Sequence, residues 1–149
     1  MRRLPFSALV ALLPLVAAPS ALAQSSATGG LAVVVNARCG VAVLTRNEVV
    51  NIFFGRYRLF FNGREAQPAD LEDSHPMRSQ FYRRLVGKDI SEINAYWSRQ
   101  IFSGRMRALP KVATPEEMTQ WIVANPCGIG FVEQAKVDAR FNIVFELAP

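Results

Sequence analysis

Apolar residues along this chain first run together and then recur at helical spacing. Leu31-Ala-Val-Val-Val35 is continuous and mostly β-branched, the pattern of a strand covered on both faces, so it predicts a central strand. Asn36 to Gly40 then turns the chain. Thr45-Arg-Asn-Glu48 is a capping box, in which the Thr45 hydroxyl meets the Glu48 amide and the Glu48 carboxylate reaches back. Val49, Ile52 and Phe53 share one face behind it, and Gly55 supplies a left-handed stop, so a short amphipathic helix is expected over Arg46 to Phe54. Tyr57 to Phe61, the Asn62-Gly63 turn and Glu65 to Leu71 read as a hairpin or a wide loop.

Three more helices follow. Ser74-His75-Pro76 opens the first, since proline is tolerated where a helix has no amide partner to lose; Phe81, Leu85 and Val86 form its stripe and Gly87 ends it. Asp89-Ile-Ser-Glu92 caps the second, with Ile93, Tyr96, Trp97, Ile101 and Phe102 at spacings of three and four before Gly104. Thr114-Pro-Glu-Glu117 joins an N-cap, a first-turn proline and acidic residues at the positive helix end, with Met118, Trp121 and Ile122 facing inward. Asn125-Pro126 breaks that helix. Ile129 to Val132 is a second buried strand and Phe141 to Leu147 alternates as a third. Strands at both ends with helices between them predict an α/β fold in which helices cover a small central sheet.

The first 23 residues change the picture of where this domain works. Arg2 and Arg3, the apolar run Phe6 to Ala18 and the close at Ala21-Leu22-Ala23 form a secretory signal peptide over residues 1–23, and its apolar core is too short for a membrane-spanning helix. Residues 24–30 are small and polar, a flexible mature N-terminus, and 31–149 is long enough to be one domain. Export places the product in the periplasm. The two signal-peptide arginines belong to the chain's 17 basic residues; without them 15 stand against 12 acidic ones, a net +3, interspersed rather than in runs. That excludes a nucleic-acid surface. Cys39 and Cys127 are the only cysteines; in an oxidising compartment they form a disulfide if their strands lie side by side, and are otherwise two buried thiols.

Leu44 to Gly55, Ala95 to Gly104 and Asn125 to Val132, in this order after the strand Leu31 to Val35, resemble the phosphate-type periplasmic substrate-binding proteins. The resemblance implies one lobe of a type 2 periplasmic-binding-protein fold, with a small central mixed sheet covered by helices. It implies non-covalent capture of a small oxyanion such as phosphate, an ABC transporter membrane component as partner, no cofactor and no enzymatic activity. Family members close two lobes on a ligand, so here the opposite wall would come from a second copy, in a homodimer, or from another protein. They place a Ser-Gly-Thr type turn, preceded by an arginine, at a helix start where amides gather an anion. This chain has Ser74-His75-Pro76 there, and Ser74, Arg78 and Ser79 are the residues the resemblance carries over. Pro76 removes one amide, and Asp70, Glu72 and Asp73 repel an anion.

One internal echo offers a different anion site. Ile52-Phe-Phe-Gly-Arg-Tyr-Arg58 and Ile101-Phe-Ser-Gly-Arg-Met-Arg107 put Arg56, Arg58, Arg105 and Arg107 just past two helix ends. Guanidinium groups there either bind an oxyanion bidentately or neutralise helix carbonyls and keep the surface soluble. Catalysis has no foothold: His75 is the sole histidine, and no nucleophile elbow, metal-ligand cluster or phosphate loop occurs at diagnostic spacing. A second reading is a non-catalytic envelope interaction module that has lost ligand capture.

Overall fold

In the computed structural model residues 29–149 are described; the signal peptide expected over 1–23 and most of the flexible terminus expected over 24–30 lie outside the described residues. Strand β1 (Leu31–Asn36) is buried along its whole length. It lies between β5 (Gly128–Glu133) and β6 (Phe141–Leu147), antiparallel to both, and β2 (Gln67–Pro68) adds in parallel beyond β5. A second, two-stranded parallel sheet joins β3 (Asp70–Leu71) to β4 (Lys111–Val112). The central sheet is thus mixed and small. The register opposes Leu31 to Leu147, so the first and last strands of the described chain start and finish side by side.

The four helices are α1 (Arg46–Phe53), α2 (Pro76–Val86), α3 (Ile90–Phe102) and α4 (Pro115–Ala124). Each begins at a residue whose side chain suits the task. Thr45 and Thr114 accept from the amides three residues on, Glu92 reaches back to accept from the Asp89 amide, and His75 caps α2 through Nδ1. The expected α3 stripe stops one turn early. Ile93 and Trp97 are buried, whereas Ile101 is 45% and Phe102 96% exposed. The Tyr57–Phe61 and Glu65–Leu71 segments form a hairpin held by one bridge, Leu59 to Glu65, before the chain enters β2 and β3.

Alternation along β5 sorts its two faces. On one, Gly128 and Gly130 let α4 approach until an added Cβ would stand 2.7 Å from the Ile122 backbone or 2.4 Å from the Met118 sulfur. On the other, Phe131 stacks on Phe81 of α2 at 3.9 Å between centroids, with Phe53 of α1 edge-on at 4.9 Å from Phe81. The C-terminus of α4 is tied to the central strand by buried Asn36, whose Nδ2 donates to the carbonyls of Ile122, Val123 and Asn125. Cys39 follows β1 and Cys127 precedes β5. Antiparallel pairing carries both to the same end of the sheet, where they form a disulfide with Cα atoms 4.8 Å apart.

Candidate functional site

Two helix ends are built the same way and brought together. After α1, the Gly55 amide donates to the Ile52 carbonyl and the Arg56 amide to Asn51; after α3, Gly104 donates to Ile101 and Arg105 to Gln100. Gly55 and Gly104 take left-handed φ angles of 72° and 69°, which a residue with a Cβ adopts only at a cost. The last helix carbonyls are therefore satisfied by backbone amides. The guanidinium groups are not needed for that, although Arg56 Nη1 donates to Asn51 Oδ1 at 3.4 Å.

Contact between the corners follows from α3. The Tyr96 hydroxyl donates to the Phe54 carbonyl at 2.9 Å, and Gly55 fits closely against the Trp97 ring and the Met106 sulfur. Arg56, Arg58, Arg105 and Arg107 consequently line one cleft of about 480 Å³, floored by Ile52, Ala66 and Leu109. Glu65 is the only acidic residue in that lining. Among the described residues none of the four arginines is ion-paired. Arg56 is steadied by the rings of Phe54 and Tyr96, 5.6 and 5.8 Å from its guanidinium carbon.

The helix-start residues have a different fate. Arg78 is 1% exposed; its Nε donates to Asp70 Oδ2 at 2.8 Å and its Nη1 to Asn94 at 2.7 Å. Asp70 also accepts from the Tyr82 hydroxyl and the Leu71 amide. Burial pushes the Asp70 carboxyl upward, and the Arg78 guanidinium pulls against it. The Tyr82 hydroxyl is pushed well up, first by burial and then by the Asp70 charge. Above this pair, Lys111 binds Asp73 and holds its carboxyl below the usual range. A small hollow of about 130 Å³ lies here, lined by both carboxylates and both cations. With two charges of each sign already matched, it has no excess field for an anion. Ser74 is exposed and Ser79 half-buried, and neither reaches the arginine cleft.

The structure thus brings Arg56 and Arg105, both marked in the sequence, together with Arg58 and Arg107, and puts Arg78 elsewhere. Sequence reasoning missed Tyr96, Met106 and Glu65, which shape the cleft. The repeated Phe-x-Gly-Arg-x-Arg signal marked the corners, but nothing local in the sequence says that two corners about 50 residues apart meet, a separation a chain closes at little extra cost.

The same arrangement of strands and helices exists in solved proteins. An ABC-type phosphate transport receptor from Vibrio cholerae matches over 78% of this chain and 45% of its own, at 19% identity and a TM-score of 0.60. The chain shares its fold with phosphate-transport binding proteins. A structure from Clostridium perfringens, described as a phosphate ABC transporter substrate-binding protein with bound phosphate, matches at 15% identity and a TM-score of 0.60, over 78% of this chain and 44% of that one. A third, from Planctomyces limnophilus, matches at 16% identity and a TM-score of 0.57, over 78% and 40%. The chain therefore spans less than half the length of these solved proteins, the proportion of a single lobe. No protein-family model and no curated protein matches the sequence. Among the described residues no helix is long and apolar enough to cross a membrane.

Proposed function

We propose that this chain is a non-enzymatic, periplasmic solute-binding domain that captures a small oxyanion such as phosphate in the arginine cleft. The observation that carries this reading is the convergence of Arg56, Arg58, Arg105 and Arg107 on one cleft with no ion pair to any described carboxylate. Guanidinium groups so placed match the two-oxygen edge of a phosphate or sulfate. The α2 start supports the same choice by default: its first position is Pro76, His75 fills the cap, and Asp70 with Asp73 consumes Arg78 and Lys111. An open single lobe grips weakly. A second copy or an ABC transporter membrane component would supply the facing wall.

The test is thermal unfolding of the protein at constant ionic strength with phosphate, sulfate and chloride. Specific binding raises the midpoint by mass action, about 2.7 kcal/mol at one hundred times the dissociation constant. A saturable shift with phosphate or sulfate, lost in the Arg56→Gln/Arg105→Gln protein, is the expected result. A shift that survives that double substitution, or no shift at millimolar anion, would remove the cleft as an oxyanion site.

A further inference from the structure

The arginine cleft continues beyond its own walls. Arg56, Tyr57 and Arg58 also line a shallow groove of about 530 Å³ that runs on over Leu59. Tyr57, Leu59 and Phe61, alternating along this arm of the hairpin, are 50%, 58% and 70% exposed, while Phe60 between them is buried. A free oxyanion has no use for that row. Cleft and groove together are also far larger than one tetrahedral anion.

We infer that this surface docks an extended acidic segment of another protein, one in which carboxylates alternate with apolar side chains. The inference rests on the cleft being an anion site and replaces the free anion with carboxylates carried on a chain. In an extended segment successive side chains point to opposite sides, so one set reaches the guanidinium groups while the other covers Tyr57 and Leu59. Arginine and tyrosine around an apolar centre are what protein interfaces concentrate where most of their binding energy lies. The charge argues against a second copy as occupant. Exposed carboxylates of this chain are largely engaged already: Asp89 with Arg83, Glu92 with Lys88, Glu116 and Glu133 with Lys136, and Asp138 with Arg140. Shape argues against a bilayer, because a flat surface cannot enter a concave cleft between two helix ends.

The probe is a fluorescent heptapeptide alternating aspartate or glutamate with phenylalanine and leucine, read by anisotropy beside a glutamate-only peptide of equal charge and anionic phosphatidylglycerol vesicles. The alternating peptide is expected to bind at least about tenfold tighter than the glutamate peptide, a floor just below the gain from fully burying one large apolar side chain. Leu59→Ser/Phe61→Ser, at positions outside the lining of the arginine cleft, should sharply reduce that preference and leave the phosphate-dependent thermal shift intact. Arg56→Gln/Arg105→Gln should abolish both. Equal affinity for the two peptides, insensitivity to Leu59→Ser/Phe61→Ser, or binding to vesicles in place of peptide would overturn the inference. A retained phosphate shift without peptide binding sinks the docking surface and leaves the oxyanion reading standing; peptide binding without a phosphate shift does the reverse; loss of both sinks both.

Discussion

Arg78, with Asp70 against its Nε and Asn94 against its Nη1, shows how one residue type divides its labour in this protein. Breaking the buried pair from one side strands a charge. Arg78→Met is expected to lower unfolding stability by about 3–5 kcal/mol, and Asp70→Leu added to it should recover part of that loss; denaturant titration of the two variants checks both. At the surface the stakes are smaller. Thr45→Ala removes the α1 cap and should cost about 1 kcal/mol. Its partner Glu48 has a carboxyl held below its usual 4.5, first by the backbone amide of Thr45 and then by its hydroxyl. A lowered carboxyl stabilises the folded state above 4.5 and loses that contribution as pH falls through the lower folded value. Glu48→Gln should therefore lower the thermal midpoint at pH 7, with the two curves converging in acid. The capping pair was legible in sequence because its partners are three residues apart. The Asp70–Arg78–Tyr82 cluster was not, since a buried carboxylate and an exposed one look alike in a string of letters.

Among elements, the α4–β5 contact is the most exacting. Gly128→Ala would drive a Cβ into the Ile122 backbone, whereas Gly130→Ala meets the movable end of Met118. Overpacking of this kind typically costs about 1–3 kcal/mol. Gly128→Ala is expected to lie above Gly130→Ala, and Met118→Ala should relieve Gly130→Ala but not Gly128→Ala; chemical denaturation of the four proteins orders them. Helix positions were readable from caps and glycines, which act within one turn, and α1, α2, α3 and α4 begin where those signals stand. The two-residue strands β2, β3 and β4 carry no periodicity to read, because only tertiary pairing defines them. Phe102 misled for a related reason. Its spacing continues the α3 stripe, but the helix outruns the body it packs on, leaving the ring 96% exposed.

At the scale of the molecule, the Cys39–Cys127 bridge closes a loop with a sequence separation of 88. Such a cross-link restricts the unfolded chain by about 4.5 kcal/mol in the entropy model. Reduction should shift the denaturant midpoint down accordingly with the fold retained; an unchanged midpoint would mean that the unfolded chain does not feel the link. The overall layering was legible because an unbroken β-branched run such as Leu31 to Val35 must be covered on both faces. The meeting of the two arginine corners was not, because it depends on the Tyr96 hydroxyl finding the Phe54 carbonyl 42 positions away in sequence.

The pairing of Leu31 with Leu147 also sets the order of events during folding. Strands β1 and β6 join residues 105 to 116 positions apart, from Asn36 with Phe141 to Leu31 with Leu147, so the central strand waits for nearly the whole chain to close. Contacts of that range slow folding. Joining Leu147 to Leu31 through a short glycine-asparagine turn, and opening the chain between Asp138 and Ala139, would turn the most distant pairing into a plain β6–β1 hairpin. This permutant should reach the same native structure but refold faster than the natural chain order in stopped-flow mixing, with the gain confined to the folding limb of the chevron.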